Sequence, residues 1–144
     1  MHTEEYFLQT AKVILTDMNL QKLFFLHAVI TLAAGIVLMV VPAFIPATVN
    51  INITPNEYLL CYFLAAAEFA VAYLSFSSRK IKDKYSLRII SISFIVFHTT
   101  TGLLEAYALM QGVSSKIVGN IVLRIIVVIL FYYYGVFKTK RIDA

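Results

Sequence analysis

One cysteine, Cys61, is all the sequence contains. A single thiol makes no internal disulfide and builds no paired-cysteine metal knuckle, so it says nothing of redox compartment. Charge is scarce too. Only 14% of the 144 residues are Asp, Glu, Lys or Arg, against 60% hydrophobic, and the mean hydropathy is +0.83. That is too apolar for a soluble domain of this length. Sharp catalytic motifs are missing as well: there is no phosphate loop, no two-histidine zinc-protease motif and no nucleophile elbow. His2, His27 and His98 lack the helical spacing of metal or haem ligands, so no metal is expected.

What is present is four apolar runs, Leu23 to Phe44, Tyr58 to Phe76, Leu87 to Met110 and Ile117 to Phe137. A bilayer core about 30 Å thick takes roughly 20 apolar residues per helix, so each run is long enough to cross it. The expected fold is all-α, an integral membrane four-helix bundle spanning 23–144. The segments outside the runs are short, which leaves no room for a soluble catalytic module. Residues 1–22 come first. There Phe7, Leu8, Ala11, Ile14, Leu15 and Met18 keep to one side of a 3.6-residue period, with Glu4, Glu5, Gln9, Lys12 and Asp17 elsewhere. This predicts an amphipathic helix on the membrane surface, or a docking helix for a partner. The acidic residues and the lack of a small-residue cleavage site argue for retention rather than removal as a signal peptide.

The net charge of +4 is unevenly placed. Arg79, Lys80, Lys82, Lys84 and Arg88 crowd the second connection, and Lys138, Lys140 and Arg141 close the chain, whereas the connection from Ala43 to Glu57 has no lysine or arginine. By the positive-inside rule both termini are cytoplasmic. The basic patches then meet anionic lipid headgroups, and no nucleic acid is expected. Local signals agree with four helices. Pro42 and Pro46 end the first, and Thr54, Pro55 and Glu57 stand where an N-cap, a first-turn proline and a capping-box glutamate start the second. Gly112 stops the third, and Ser114 or Ser115 starts the fourth. The run Phe131 to Gly135, FYYYG, suits an interfacial aromatic belt.

Each helix also carries one polar or small-residue stripe at steps of three or four residues. The stripes are His27, Thr31 and Gly35; Cys61, Ala65, Glu68, Ala72 and Ser75; Ser91, His98, Thr101 or Gly102, and Glu105; then Asn120 and Arg124. Intramembrane charges cost at least ~2.5 kcal/mol each, so they face inward, pair, and mark functional sites. Depth along the helices predicts an ion pair between Glu105 and Arg124, and brings Glu68 near His98 at mid-bilayer. His27 is expected to stand apart, nearer the cytoplasmic side. Candidate ligand-binding or proton-relay residues are therefore Glu68, His98, Thr101, Glu105, Asn120 and Arg124. The competing account is structural, with polar groups acting as hydrogen-bonding glue between helices.

Four-span layout, the glutamate within AAAEFAVAYL (Ala65 to Leu74) and the basic link that follows it resemble the DoxX-like group of small bacterial membrane proteins. The resemblance covers the hydrophobic layout of most of the chain, but its specific part is Glu68 and its setting. It implies a bacterial inner-membrane location and a link to quinone or sulfur-compound oxidation or to membrane complexes. A quinone or another lipid would then be the bound molecule.

Three functions are expected from these residues. The first is an intramembrane polar cavity that binds a small or lipid-like ligand, with proton exchange or transport. The second is a non-catalytic accessory subunit of a larger, respiratory membrane complex, or a homodimer. The third is an intramembrane enzyme using Glu68 or His98 as proton donor or acceptor.

Overall fold

The structure is a computed structural model and describes residues 19–138. Of the surface helix expected over residues 1–22, residues 1–18 lie outside the described residues, as do Lys140 and Arg141, and Leu20 to Lys22 open the first spanning helix instead. The described chain forms four long helices and one short one: α1 (Leu20–Val40), α2 (Phe44–Thr48), α3 (Tyr58–Ser78), α4 (Lys84–Met110) and α5 (Ile117–Phe131). A 3₁₀ turn, Pro55–Glu57, leads into α3, and a π-helical segment, Tyr132–Phe137, continues α5. Among the described residues, four helical stretches are long and apolar enough to cross a membrane.

Local chemistry sets the ends. Asn19 Oδ1 accepts from the Lys22 N–H at 2.8 Å, so α1 starts three residues earlier than its apolar run suggests. It stops at Val40, two residues before Pro42, whose ring cannot continue a helix. Pro46 does not break α2, because it stands in the first turn, where no N–H is required. Thr54 donates both its N–H and its hydroxyl to Glu57 Oε2, at 2.6 and 3.0 Å, and so fixes the entry to α3. Past Met110, Gly112 takes a positive φ of 80° while its N–H reaches Leu109 O and Val113 N–H reaches Ala108 O, a Schellman stop. Ser114 Oγ then accepts from the Lys116 N–H at 3.3 Å ahead of α5.

The exterior is apolar and the interior carries polar groups, the reverse of a water-soluble protein. Leu60, Phe63, Leu103, Leu104 and Ile129 are exposed, whereas His27, Thr31, Ser75, Ser78, Ser91 and His98 are buried. Such an exterior suits hydrocarbon as solvent.

Packing is concentrated within two hairpins, α1 with α3 and α4 with α5. Gly35 lets α1 close on α3, since a Cβ there would stand 2.9 Å from the Phe69 ring and 3.3 Å from Ala65 O. The hairpins join through a cluster of Leu23, Phe24, Leu87, Phe94, Phe131 and Tyr134 at the end of the bundle that holds the basic α3–α4 link. There the rings of Phe24, Phe94 and Phe131 meet at centroid distances of 5.2 to 6.1 Å. Each such aromatic pair adds roughly 0.5–1.5 kcal/mol beyond area burial. A smaller cluster, Leu38, Cys61 and Ala65, fills the other end of the first hairpin.

Two expectations change here. The fourth span is not one regular helix, because its last six residues widen into a π-helix that seats Gly135 against Ser91, where no Cβ fits. Nor is FYYYG simply a belt. Phe131 and Tyr134 are buried in the core, while Tyr132, Tyr133 and Phe137 remain exposed.

Candidate functional site: a chain of polar side chains inside the bundle

Beyond His98 no residue of α4 is fully buried, and in α5 none is between Ile117 and Phe131. Away from the aromatic cluster the second hairpin therefore lacks a closed core, and this is where its charges lie. Glu105 and Arg124 approach to 2.9 Å, Oε2 to Nε, with side chains 19% and 23% exposed. Yet both of those atoms are buried without a directed hydrogen bond, because the Nε–H does not aim at the oxygen. Each charge is compensated, but hydrogen-bonding capacity is left over on both sides.

From Arg124 the polar contacts run on toward the basic end. Arg124 Nη1 lies 3.4 Å from His98 Nδ1, His98 Nε2 lies 2.9 Å from His27 Nε2, and His27 Nδ1 lies 2.7 Å from Ser75 Oγ. Four helices thus contribute to one chain. The two imidazoles are packed among Phe94, Phe97 and Phe131 at ring distances of 4.8 to 5.2 Å, so water has little access to them.

Glu68, expected beside His98, is not its partner: both ring nitrogens of His98 are occupied, one by His27 and one by Arg124. Glu68 lies half-buried on α3 within the field of Arg124. Among the described residues it makes no hydrogen bond and no ion pair. Thr101 returns its hydroxyl to Phe97 O at 2.7 Å, which ties its one donor to the helix. Asn120 is exposed near the start of α5 and is not gathered into the cluster.

His27 and Ser75 were not expected in the chain. Both lie on the stripes read from sequence, but depth counted from the helix starts sets His27 apart from His98, whereas the opposite ends give the true levels. From His27 to Val40 is 13 residues and from His98 to Met110 is 12. At about 1.5 Å per residue the two lie at nearly equal depth from that end, because α4 overhangs at the basic end.

Among the described residues, no three His, Cys, Asp or Glu side chains gather as a metal site. The facing imidazoles bond to each other instead. Compared with models of protein families, with curated proteins and with solved structures, the chain matches none.

Proposed function

We propose that this is an integral membrane protein whose intramembrane polar cluster, Glu68 with Arg124, Glu105 and His98, binds a small or lipid-like ligand, with proton exchange at Glu68. One observation carries this reading. Glu68 is a half-buried carboxylate in a helix of bilayer length, without hydrogen bond or ion pair, in the electrostatic field of an arginine that contacts Glu105 and His98. Structural glue accounts for Glu105 and Arg124, since compensated charges need no further purpose. It does not account for Glu68, because an intramembrane carboxylate without a hydrogen bond or ion pair is costly unless something else meets it. A bound ligand or a proton meets it.

The orientation belongs to the same proposal. The basic end faces the cytoplasm, as expected of a bacterial inner-membrane protein. The DoxX-like resemblance adds a quinone to the lipid-like ligands considered. Native mass spectrometry of the gently extracted protein tests the reading. It predicts a small adduct that is absent from Glu68→Gln.

A second reading, an accessory subunit, is favoured by the same open half of α4 and α5, which a neighbouring subunit would cover. It predicts a stoichiometric foreign polypeptide, and loss of the chain when that partner is removed.

A further inference from the structure

Arg79 differs from the other cations of the basic link in where its charge rests. Lys80, Lys82 and Lys84 are exposed, and Asp83, the one acid among them, is committed to Ser86 at the start of α4. Arg79 is partly buried, with its guanidinium carbon 4.5 Å from the centre of the Phe25 ring on α1 and 4.8 Å from that of Phe76 on α3. Two rings from two helices hold one cation.

Both rings belong to the apolar exterior of the bundle. α3 ends at Ser78, so Arg79 is the first residue past it, whereas Phe25 stands five residues after Leu20, about 7.5 Å inside α1 at about 1.5 Å per residue. The side chain therefore runs back along the bundle, where a long basic side chain at a helix end commonly extends into water. Its charge rests at the rim of the hydrocarbon layer, on a lipid-facing surface.

Ring contacts use that charge but not the N–H donors. Among the described residues Arg79 makes no hydrogen bond and no ion pair. A guanidinium presents its five donors as a planar fork, which a phosphodiester meets with two oxygens on one centre. The exposed lysines of the link repel the cationic end of a zwitterionic headgroup and favour a phosphate with no such end. On α1 the exposed face continues from Phe25 through Val29 and Leu32, at steps of four and three residues, as an apolar track for an acyl chain.

We propose that Arg79, Phe25 and Phe76 form a headgroup site for one anionic phospholipid in the leaflet at the basic end, with its phosphate on the guanidinium and an acyl chain along Val29 and Leu32. The site is separate from the Glu68 cluster and does not rest on it. Diffuse attraction to a basic link needs no particular residue, whereas this site needs one arginine and two rings.

The test uses the full chain, ¹⁵N-labelled at arginine, in phosphatidylcholine nanodiscs with a rising fraction of phosphatidylglycerol. The Arg79 Nε–H resonance, assigned by its absence from Arg79→Lys, shifts saturably, while that of Arg124 stays in place. The double variant Phe25→Leu, Phe76→Leu, confirmed as folded by circular dichroism, needs about tenfold more phosphatidylglycerol for the same shift. Lys82→Gln leaves the titration where it was. An Arg79 resonance that is the same in both lipids, or that moves without saturating, would overturn the site in the wild-type protein itself. Lys82→Gln weakening the response as much as loss of the two rings would reduce it to diffuse attraction and also overturn it.

Discussion

Nε2 of His27 and Nε2 of His98 stand 2.9 Å apart across the junction of the two hairpins, so one histidine is the other's hydrogen-bond partner. Two imidazole nitrogens share a single hydrogen at that distance only if one of them is a lone pair. The pair joins the polar cluster on one side to fully buried Ser75 on the other. Removing either ring leaves a buried donor or acceptor unmatched. His27→Ala is expected to lower unfolding stability by about 2–3 kcal/mol, part from the orphaned partner and part from the void beside Phe94 and Phe131. Steric-trap or denaturant unfolding in mixed micelles measures it, and a loss within experimental error of zero would contradict the pairing.

Glu105 and Arg124 should behave as a unit. Glu105→Gln leaves a guanidinium without its carboxylate and is expected to cost about 2–3 kcal/mol. The double variant Glu105→Gln, Arg124→Met is expected to recover most of that loss, since replacing both charges removes the unpaired one. A double-mutant cycle with no coupling would show that the 2.9 Å approach contributes nothing.

The glycines of the fourth span should respond in opposite directions. Gly135 lies against Ser91 with no space for a Cβ, so Gly135→Ala is expected to force α4 and the π-helical segment apart at about 1–3 kcal/mol. A Cβ on Gly119 meets no atom within 4 Å, so Gly119→Ala should stabilise α5 by up to about 1 kcal/mol. Thermal midpoints of the two purified variants decide this, and a shift in the same direction would contradict it.

One pH effect lies outside the apolar spans. Asp83 caps α4, accepting from the Ser86 hydroxyl and from the Ser86 N–H. These bonds, the hydroxyl foremost, hold its carboxyl below the usual carboxylate range. A depressed folded-state pKa stabilises above the unfolded value, about 3.9, and that contribution disappears as pH falls through the folded one. The thermal midpoint of Asp83→Ala should lie below wild type at neutral pH, and the gap should close on acidification. A gap that widens toward low pH would contradict the cap.

Much of the fold is legible in the sequence, because in a bilayer the apolar runs, prolines and caps all point to the same elements. Thr54 with Glu57, Gly112 and Ser114 stand at helix ends for the chemical reasons their residue types suggest. The stripe His27, Thr31 and Gly35 is wholly buried, which a period of 3.6 conveys. Partner choice was less legible. Depth counted from a helix start fails when one helix overhangs, and α4 has 27 residues against 21 in α1, which is why His98 meets His27 rather than Glu68. The π-helical turn has no sequence signal beyond Gly135, which it seats against Ser91.

The central claim is that Glu68 marks a binding site rather than a packing contact. Its most direct test is native mass spectrometry of wild type and Glu68→Gln, both extracted gently from the membrane, with circular dichroism confirming that both are folded. The account predicts a small adduct on wild type that the folded variant has lost. The same adduct on both proteins, or none on either, would contradict it.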